Sequence, residues 1–335
     1  QGPTGFRGEA RSRLTTYSES RRCLETLFYE DKTMAEREQI RKQLAKDNID
    51  FLLAQFVDIH GAAKVKMVPV DSLDAMIDDG AGFAGAAVWG SGQGPHSHDM
   101  LARIDLQSYT PLPWMPNTAR FASDLFVDGE SYPFCPRTNL KRVLTEVRAA
   151  GYVFNVGMEP EHFLVTRNED GTIAPWNPDH VDHLAKPCYD FRSMAPAMAY
   201  LQDLTSSLNQ LGWGVYQTDH EDANGQYEIN FDFKDALTTA DRVTFFKMVT
   251  SQIAKKYGAI ATHMAKPFAE QTGVLDHARA LCAVTSPTVN CYKRLKLGTG
   301  LTSNRSGFTW TPAFVSYGDN NRTQMIRTAG PGHFE

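Results

Sequence analysis

Two glutamates flank a proline in "NVGMEPEHFLV", residues 155–165. The stretch is otherwise apolar and reads as a β-strand, where alternate side chains share a face, so Glu159 and Glu161 are predicted to point the same way. Pro160 cannot donate to a ladder, which predicts a sheet edge or a bulge there. Two like charges on one face must meet either water or something that neutralises them. A second stretch, "HEDANGQYEINF" (220–231), bears on that choice. Its Asn224-Gly225 pair is the strongest short hairpin signal. If those residues are the turn, Ala223 faces Gln226, Asp222 faces Tyr227 and Glu221 faces Glu228. Like charges directly paired destabilise a hairpin, and a divalent cation between them reverses the sign. An irregular loop would lose the strict pairing but keep both carboxylates close. Glutamates 159, 161, 221 and 228 together suit a hard cation held by oxygen, Mg²⁺ or Mn²⁺.

Paired carboxylates also serve as the acid and base of glycoside hydrolysis. The accompanying arginines, Arg294 in "YKRL" and Arg322 and Arg327 in "NRTQMIR", favour phosphate–metal chemistry instead. No G-x-x-x-x-G-K-[ST] loop is present, and "WGSGQGP" lacks the G-x-G-x-x-G spacing, so neither a P-loop nor a Rossmann site is expected.

The elements that must position these residues follow from periodicity and punctuation. Residues 1–33 are polar and irregular and are expected to be disordered or loosely attached. A helix is predicted over "MAEREQIRKQLAKDN", with Ile40, Leu44 and Ile49 spaced for one face. "FLLAQFVDIHG" and "AAKVKMVPV" read as strands, and the Gly- and Pro-rich 80–136 segment as loops and short strands. "RTNLKRVLTEVRAAG", "SMAPAMAYLQDLTSSLNQLG" and "TTADRVTFFKMVTSQIAKKYG" read as helices stopped by Gly151, Gly212 and Gly258. "YVFNVGMEPEHFLV" reads as one strand, and "WGVYQTDHEDANGQYEINFDF" as strand, turn and strand. A small β-rich domain over 34–136 is thus expected to precede an α+β domain over 137–335. The net charge of −5 and the pI near 6.1 give no basic field for nucleic acid. No apolar run approaches the roughly 20 residues of a membrane helix. The five cysteines are odd in number and widely spaced, and no signal-peptide pattern opens the chain, so a cytoplasmic protein with free thiols is expected.

Taken together, these motifs resemble the glutamine synthetase family. Glu159-Pro160-Glu161 resembles its metal-binding E-x-E strand and "EDANGQYE" its second metal motif. "HMAKPF" is similar to its M-P-K-P strand, with Ala265 for the first proline. "NCYKRL" and "NRTQMIR" resemble its substrate- and nucleotide-binding arginine motifs, "PCYDF" the tyrosine segment of its ammonium pocket, and "GHFE" the start of its last metal strand. The matches run in family order from about residue 50 to the end, and "SGFTWTPAFVSYGDNNR" resembles the branch that joins glutamate to methylamine. The resemblance implies an α+β fold: a small β-grasp-like N-terminal domain, then a catalytic domain on a curved antiparallel sheet with flanking helices. It implies an ATP-dependent ligase that phosphorylates the γ-carboxylate of glutamate and passes it to methylamine. Ammonia as the amine, or a catalytically impaired structural relative, are the alternatives. By the same resemblance Glu161, Glu221 and Glu228 hold one Mg²⁺ or Mn²⁺, and Glu159 and Glu335 a second beside the ATP phosphates. Arg294 and Arg322 grip glutamate, Arg322 and Arg327 neutralise the moving phosphoryl group, Phe233 stacks adenine, and Tyr189 lines the amine pocket with Glu221. The family's rings of subunits imply a homo-oligomer, with no nucleic-acid or membrane partner.

Three departures from the family pattern stand out. "HMAKPFAEQTG" runs straight into "VLDHARALC", where the family has a further segment with an H-x-H strand, so a join between Gly273 and Val274 is expected. The sequence stops at Glu335, where the family continues, and Ala84 in "FAGAAVWG" aligns with an aspartate that takes a proton from ammonium.

Overall fold

The computed structural model describes residues 34–273, together with the backbone of four later strands. The extension over 1–33 lies outside the described residues. Helix α1 spans 34–46. Its Ile40 and Leu44, with Ile49 just beyond, are buried against Leu52, Ala54, Leu73, Met76, Ala119 and Phe121, as their spacing predicts. There follow β1 (Phe51–Val57), β2 (Ala63–Pro69), α2 (Leu73–Asp78), β3 (Ala81–Phe83), β4 (Met100–Ile104), β5 (Thr110–Pro111), β6 (Thr118–Val127) and β7 (Glu130–Ser131). They form one sheet in the order β2-β1-β6-β4-β3, with β5 and β7 also on β6. Strands β1 and β6 run parallel, and the other pairs antiparallel. The expectation of only loops and short strands over 80–136 misses β6, a ten-residue strand at the centre of this sheet. "TARFASDLFV" contains neither glycine nor proline, and its first six residues are all buried.

Helix α3 (Pro136–Ala149) starts with proline in its first turn and stops before Gly151 at φ +83°. Next come β8 (Tyr152–Glu159), β9 (Glu161–Arg167), β10 (Ile173–Pro175), α4 (Phe191–Met194), α5 (Met198–Gln210), β11 (Val215–His220), β12 (Gln226–Phe231), β13 (Lys234–Asp235), α6 (Ala236–Lys256) and β14 (Ile260–Thr262). The later strands are β15 (His277–Val284), β16 (Lys293–Gly298), β17 (Tyr317–Asp319) and β18 (Ile326–Thr328). One sheet runs β10-β9-β12-β11, with β14 also on β9, and another runs β13-β8-β15-β16-β18-β17. Helices α5 and α6 bury Tyr200, Leu204, Leu208, Phe245, Phe246, Val249 and Ile253 in a core shared with Ile229 and Phe231 of β12. Among the described residues, no helix is long and apolar enough to cross a membrane.

Two expectations change here. The single strand expected over "YVFNVGMEPEHFLV" is two strands, and Pro160 carries the chain from one sheet into the other. With no N–H to give a ladder, proline sits where pairing must end. Glu159 closes β8 and Glu161 opens β9, so alternation within one strand does not relate them. The helix expected from Ser193 to Gly212 is interrupted at Ala195–Ala197, a single 3₁₀ turn that contains Pro196.

Behind β9 the core holds two histidines. His162 is fully buried with Nε2 2.8 Å from the Tyr200 hydroxyl, and His263 Nε2 lies 2.9 Å from Thr250 Oγ1. Burial, then the charge of Lys247, lowers His263 from 6.5 to about 4. Burial and the neighbouring His263 hold His162 well below its ordinary value. As pH falls, the unfolded chain takes up these protons first, so stability present above about 6.5 is lost towards about 4. For His263 alone the loss is on the order of 3 kcal/mol. Between pH 6.5 and 4.5 the melting temperature of wild type is expected to fall relative to that of His263→Gln. Equal slopes would remove His263 from the account.

Candidate active site

The carboxylates meet where the two sheets of the second half adjoin. Glu161 opens β9, Glu228 lies opposite it on β12, and Glu221 stands in the loop after β11. One carboxylate oxygen from each of these three residues lies within 4.8 Å of the others. Glu159, Glu161 and Glu228 are all buried. Burial first, then Glu221 and Glu159, raises Glu228 to about 8. Burial, with Asp219 and Asp222 adding to it, raises Glu221. These oxygens crowd each other's negative charge, and a hard divalent cation would relieve it, so the donor set fits such an ion.

The turn forms, but the register differs from the sequence reading. Gln226 N donates to Ala223 O at 3.0 Å across Asn224-Gly225, and Glu221 N donates to Gln226 O at 2.9 Å. The ladder then pairs His220 with Tyr227 and Asp219 with Glu228. Glu221 therefore does not face Glu228, because the pairing is shifted by two residues and the 221–225 loop is closed by these backbone bonds together with the Gln226 side chain. Gln226 Oε1 accepts from Ala223 N at 3.1 Å, and Gln226 Nε2 donates to Glu161 Oε2 at 2.6 Å. Gly225 is required there: its φ is +73°, and a Cβ would lie 2.8 Å from Leu164 O. The two carboxylates nonetheless stay in one cluster, as the irregular-loop alternative has it.

Asp219 is a residue the sequence reading missed. Its Oδ1 is buried with no hydrogen-bond partner, and burial, then Glu228, raises the carboxyl to about 7. The sequence carried a signal in "TDHEDANGQYE", where a two-residue shift that lengthens the loop of the ideal hairpin sets Asp219 against Glu228.

Tyr189 has φ +62°, a left-handed conformation that bulky residues rarely adopt outside constrained sites. Its N–H donates to His220 O at 3.0 Å. Tyr189 is 69% exposed, and partial desolvation of its hydroxyl, then Cys188, Glu221 and Asp219, pushes it above the ordinary value. Phe233 is 49% exposed just before β13. Arg294 lies on β16, in register with Leu281, and Arg327 on β18, in register with Lys296. Arg322 and Glu335 lie outside the described residues. Glu159 is in register with His277 of β15 and adds to the charge felt by Glu228 and Asp219.

A sheet-borne cluster of carboxylates suits a divalent cation, and comparison with known proteins gives the class of the chain. The family model described as glutamine synthetase, catalytic domain, matches residues 133–274 and 271–333, two pieces that meet at the Gly273–Val274 region. The chain belongs to the glutamine synthetase family, whose ligases use ATP and divalent cations. Within that family, it is 41% identical over 329 residues to the glutamate–methylamine ligase of Methyloversatilis universalis, covering 86% of this chain and 73% of that protein. It is 35% identical over 326 residues to the glutamine synthetase of Rhizobium leguminosarum bv. phaseoli, with coverage of 86% and 73%. A solved structure described as a GmaS/ADP complex matches with a TM-score of 0.75 and 33% identity, over 85% of this chain and 73% of that one. The fold is of the glutamine synthetase type, with mixed α and β elements and curved sheets.

Proposed function

We propose that the protein is an ATP-dependent carbon–nitrogen ligase that joins the γ-carboxylate of glutamate to methylamine through a γ-glutamyl phosphate. The observation that carries this reading is the convergence of Glu161, Glu221 and Glu228 at the junction of the two sheets. The higher identity to the glutamate–methylamine ligase than to the glutamine synthetase supports methylamine as the amine. A cation bound at that junction, Mg²⁺ or Mn²⁺, would supply Lewis-acid charge for phosphoryl transfer from ATP. Glu161, Glu221 and Glu228 would hold it, and Glu159 and Glu335 a second. Arg294 and Arg322 bind glutamate, Arg322 and Arg327 neutralise the transferring phosphoryl group, and Phe233 stacks the adenine. Tyr189 and Glu221 line the amine pocket. Asp219 adds a carboxyl that burial and Glu228 raise to about 7 in the cation-free site, a further group to take the proton an alkylammonium must lose before attack. Residues 34–136 serve as the β-grasp-like N-terminal domain, 137–335 as the catalytic domain, and the protein works as a homo-oligomer of ring type.

Phosphate release measured with glutamate, ATP and Mg²⁺ tests the reading across amines. Methylamine is expected to give the higher kcat/KM. A preference for ammonia would leave a glutamine synthetase, and no glutamate-dependent release would sink the ligase reading.

A further inference from the structure

Asp182 stands outside the carboxylate cluster, in the connection between β10 and α4, and is buried. Its Oδ2 accepts from His220 Nε2 at 3.0 Å and from Gly225 N at 2.7 Å. Its Oδ1 accepts from Asn224 Nδ2 at 2.8 Å. Asn177 fixes the Asp182 backbone in turn: Nδ2 donates to Asp182 O at 2.9 Å, and Oδ1 accepts from Val181 N at 3.0 Å and Asp182 N at 3.2 Å. His220 extends the chain of contacts. Its Nδ1 donates to Glu221 O at 2.7 Å, and its own backbone O accepts from Tyr189 N.

One carboxylate therefore grips both ends of the segment 220–225, with Glu221 between them. Strand pairing ends at His220 and Tyr227, and beyond it Glu221 is tied by one backbone bond to Gln226 O and by its Oε2 accepting from Asp222 N at 3.0 Å, so its direction follows the shape of the 221–225 loop. The left-handed backbone of Tyr189 is a conformation that persists only where its surroundings impose it, and His220 supplies one of the constraints. We propose that Asp182 is a positioning residue that sets Glu221 in the cation site and Tyr189 beside it, through His220 and the 221–225 loop. The inference rests on the ligase reading for its amine-binding consequence, but not for its consequence on cation binding. Partners that orient metal-binding side chains from behind change affinity by about tenfold to a hundredfold when replaced.

Asp182→Asn keeps the size of the side chain and replaces one acceptor oxygen with a donor. Two measurements are made on the whole protein: Mn²⁺ binding by electron paramagnetic resonance, and KM values for amine and ATP in phosphate release. The expected result is Mn²⁺ binding weakened about tenfold or more, with a raised amine KM and an ATP KM within about twofold of wild type. Folded Asp182→Asn with Mn²⁺ affinity and amine KM both within about twofold of wild type would overturn the proposal, as would an ATP KM raised as much as the amine KM, which marks general damage. If Asp182→Asn does not fold, Asn224→Ala, which removes one arm, carries the test. Mn²⁺ binding weakened about threefold supports the proposal, and unchanged binding overturns it. If wild type binds Mn²⁺ but releases no phosphate, the ligase reading fails and the Mn²⁺ comparison still decides this inference.

Discussion

Replacing Glu228 with glutamine is expected to lower glutamate-dependent phosphate release by about a thousandfold while leaving the cation-free protein at least as stable as wild type. The first effect follows from the cluster. Metal-assisted charge stabilisation is worth several kcal/mol, and about 4 kcal/mol in the barrier is about a thousandfold in rate. The second follows from the electrostatics of the empty-handed donors. The folded protein holds the Glu228 proton up to about 8 against an ordinary 4.5, so its stabilising protonated form is lost as pH rises through that range. Cation-free wild type should therefore lose stability between about pH 4.5 and 8, and Glu228→Gln, which cannot ionise, should lose less. Added Mg²⁺ reverses the penalty, so its thermal shift should be larger at pH 8 than at pH 6 in wild type, and small at both in the variant. Thermal melts at the two pH values, with and without Mg²⁺, read this directly. Activity within tenfold of wild type, or an undiminished Mg²⁺ shift, would remove Glu228 from the cation site.

What the sequence disclosed about this site was local, and what it hid was long-range. The N-G turn is a short-range signal and forms where it was expected, whereas the E-P-E stretch supplies carboxylates from two strands rather than from one. Pro160 also announced a break in pairing, but not that the chain would change sheets there, since a sheet change depends on strands far along the chain. The two-residue shift that sets Asp219, rather than Glu221, opposite Glu228 has the same origin. The loop left by that shift is held by Asp182, some forty positions before the turn, whose carboxylate takes hydrogen bonds from Asn224 and Gly225. Strand β6 escaped notice because its glycine- and proline-rich neighbours dominate any window laid over it, although its own ten residues contain neither.

The largest expected loss of stability comes from a residue that no motif marks. Arg137 on α3 is buried, and its guanidinium reaches Asp105 Oδ2 at 2.8 Å, Asp124 Oδ1 at 2.8 Å and Asp241 Oδ2 at 3.0 Å. Asp124 belongs to β6 and Asp105 follows β4, while Asp241 belongs to α6, so one side chain joins the first sheet to the catalytic helices. Burial alone would raise Asp105, but Arg137 and Lys141 outweigh it and hold the carboxyl below its ordinary value. Arg137→Ala leaves Asp105 and Asp124 to Lys141 alone, and Asp241 with Arg120 as its remaining cationic neighbour. Breaking such a buried network from one side costs about 3–5 kcal/mol. Arg137→Lys should recover only part of this, because one ammonium cannot span the fork-shaped contacts to Asp105, Asp124 and Asp241. Denaturant unfolding at pH 7 measures the loss. The difference between wild type and Arg137→Ala should shrink as pH falls below about 4, where Asp105, held below its ordinary value by Arg137, takes up its proton. Because the network spans the two halves of the protein, Arg137→Ala should also speed proteolytic cleavage between β7 and α3 before the catalytic core unfolds. A loss under about 1 kcal/mol, the value of an ordinary exposed ion pair, would mean that packing of the two halves rather than this charge network holds them in register.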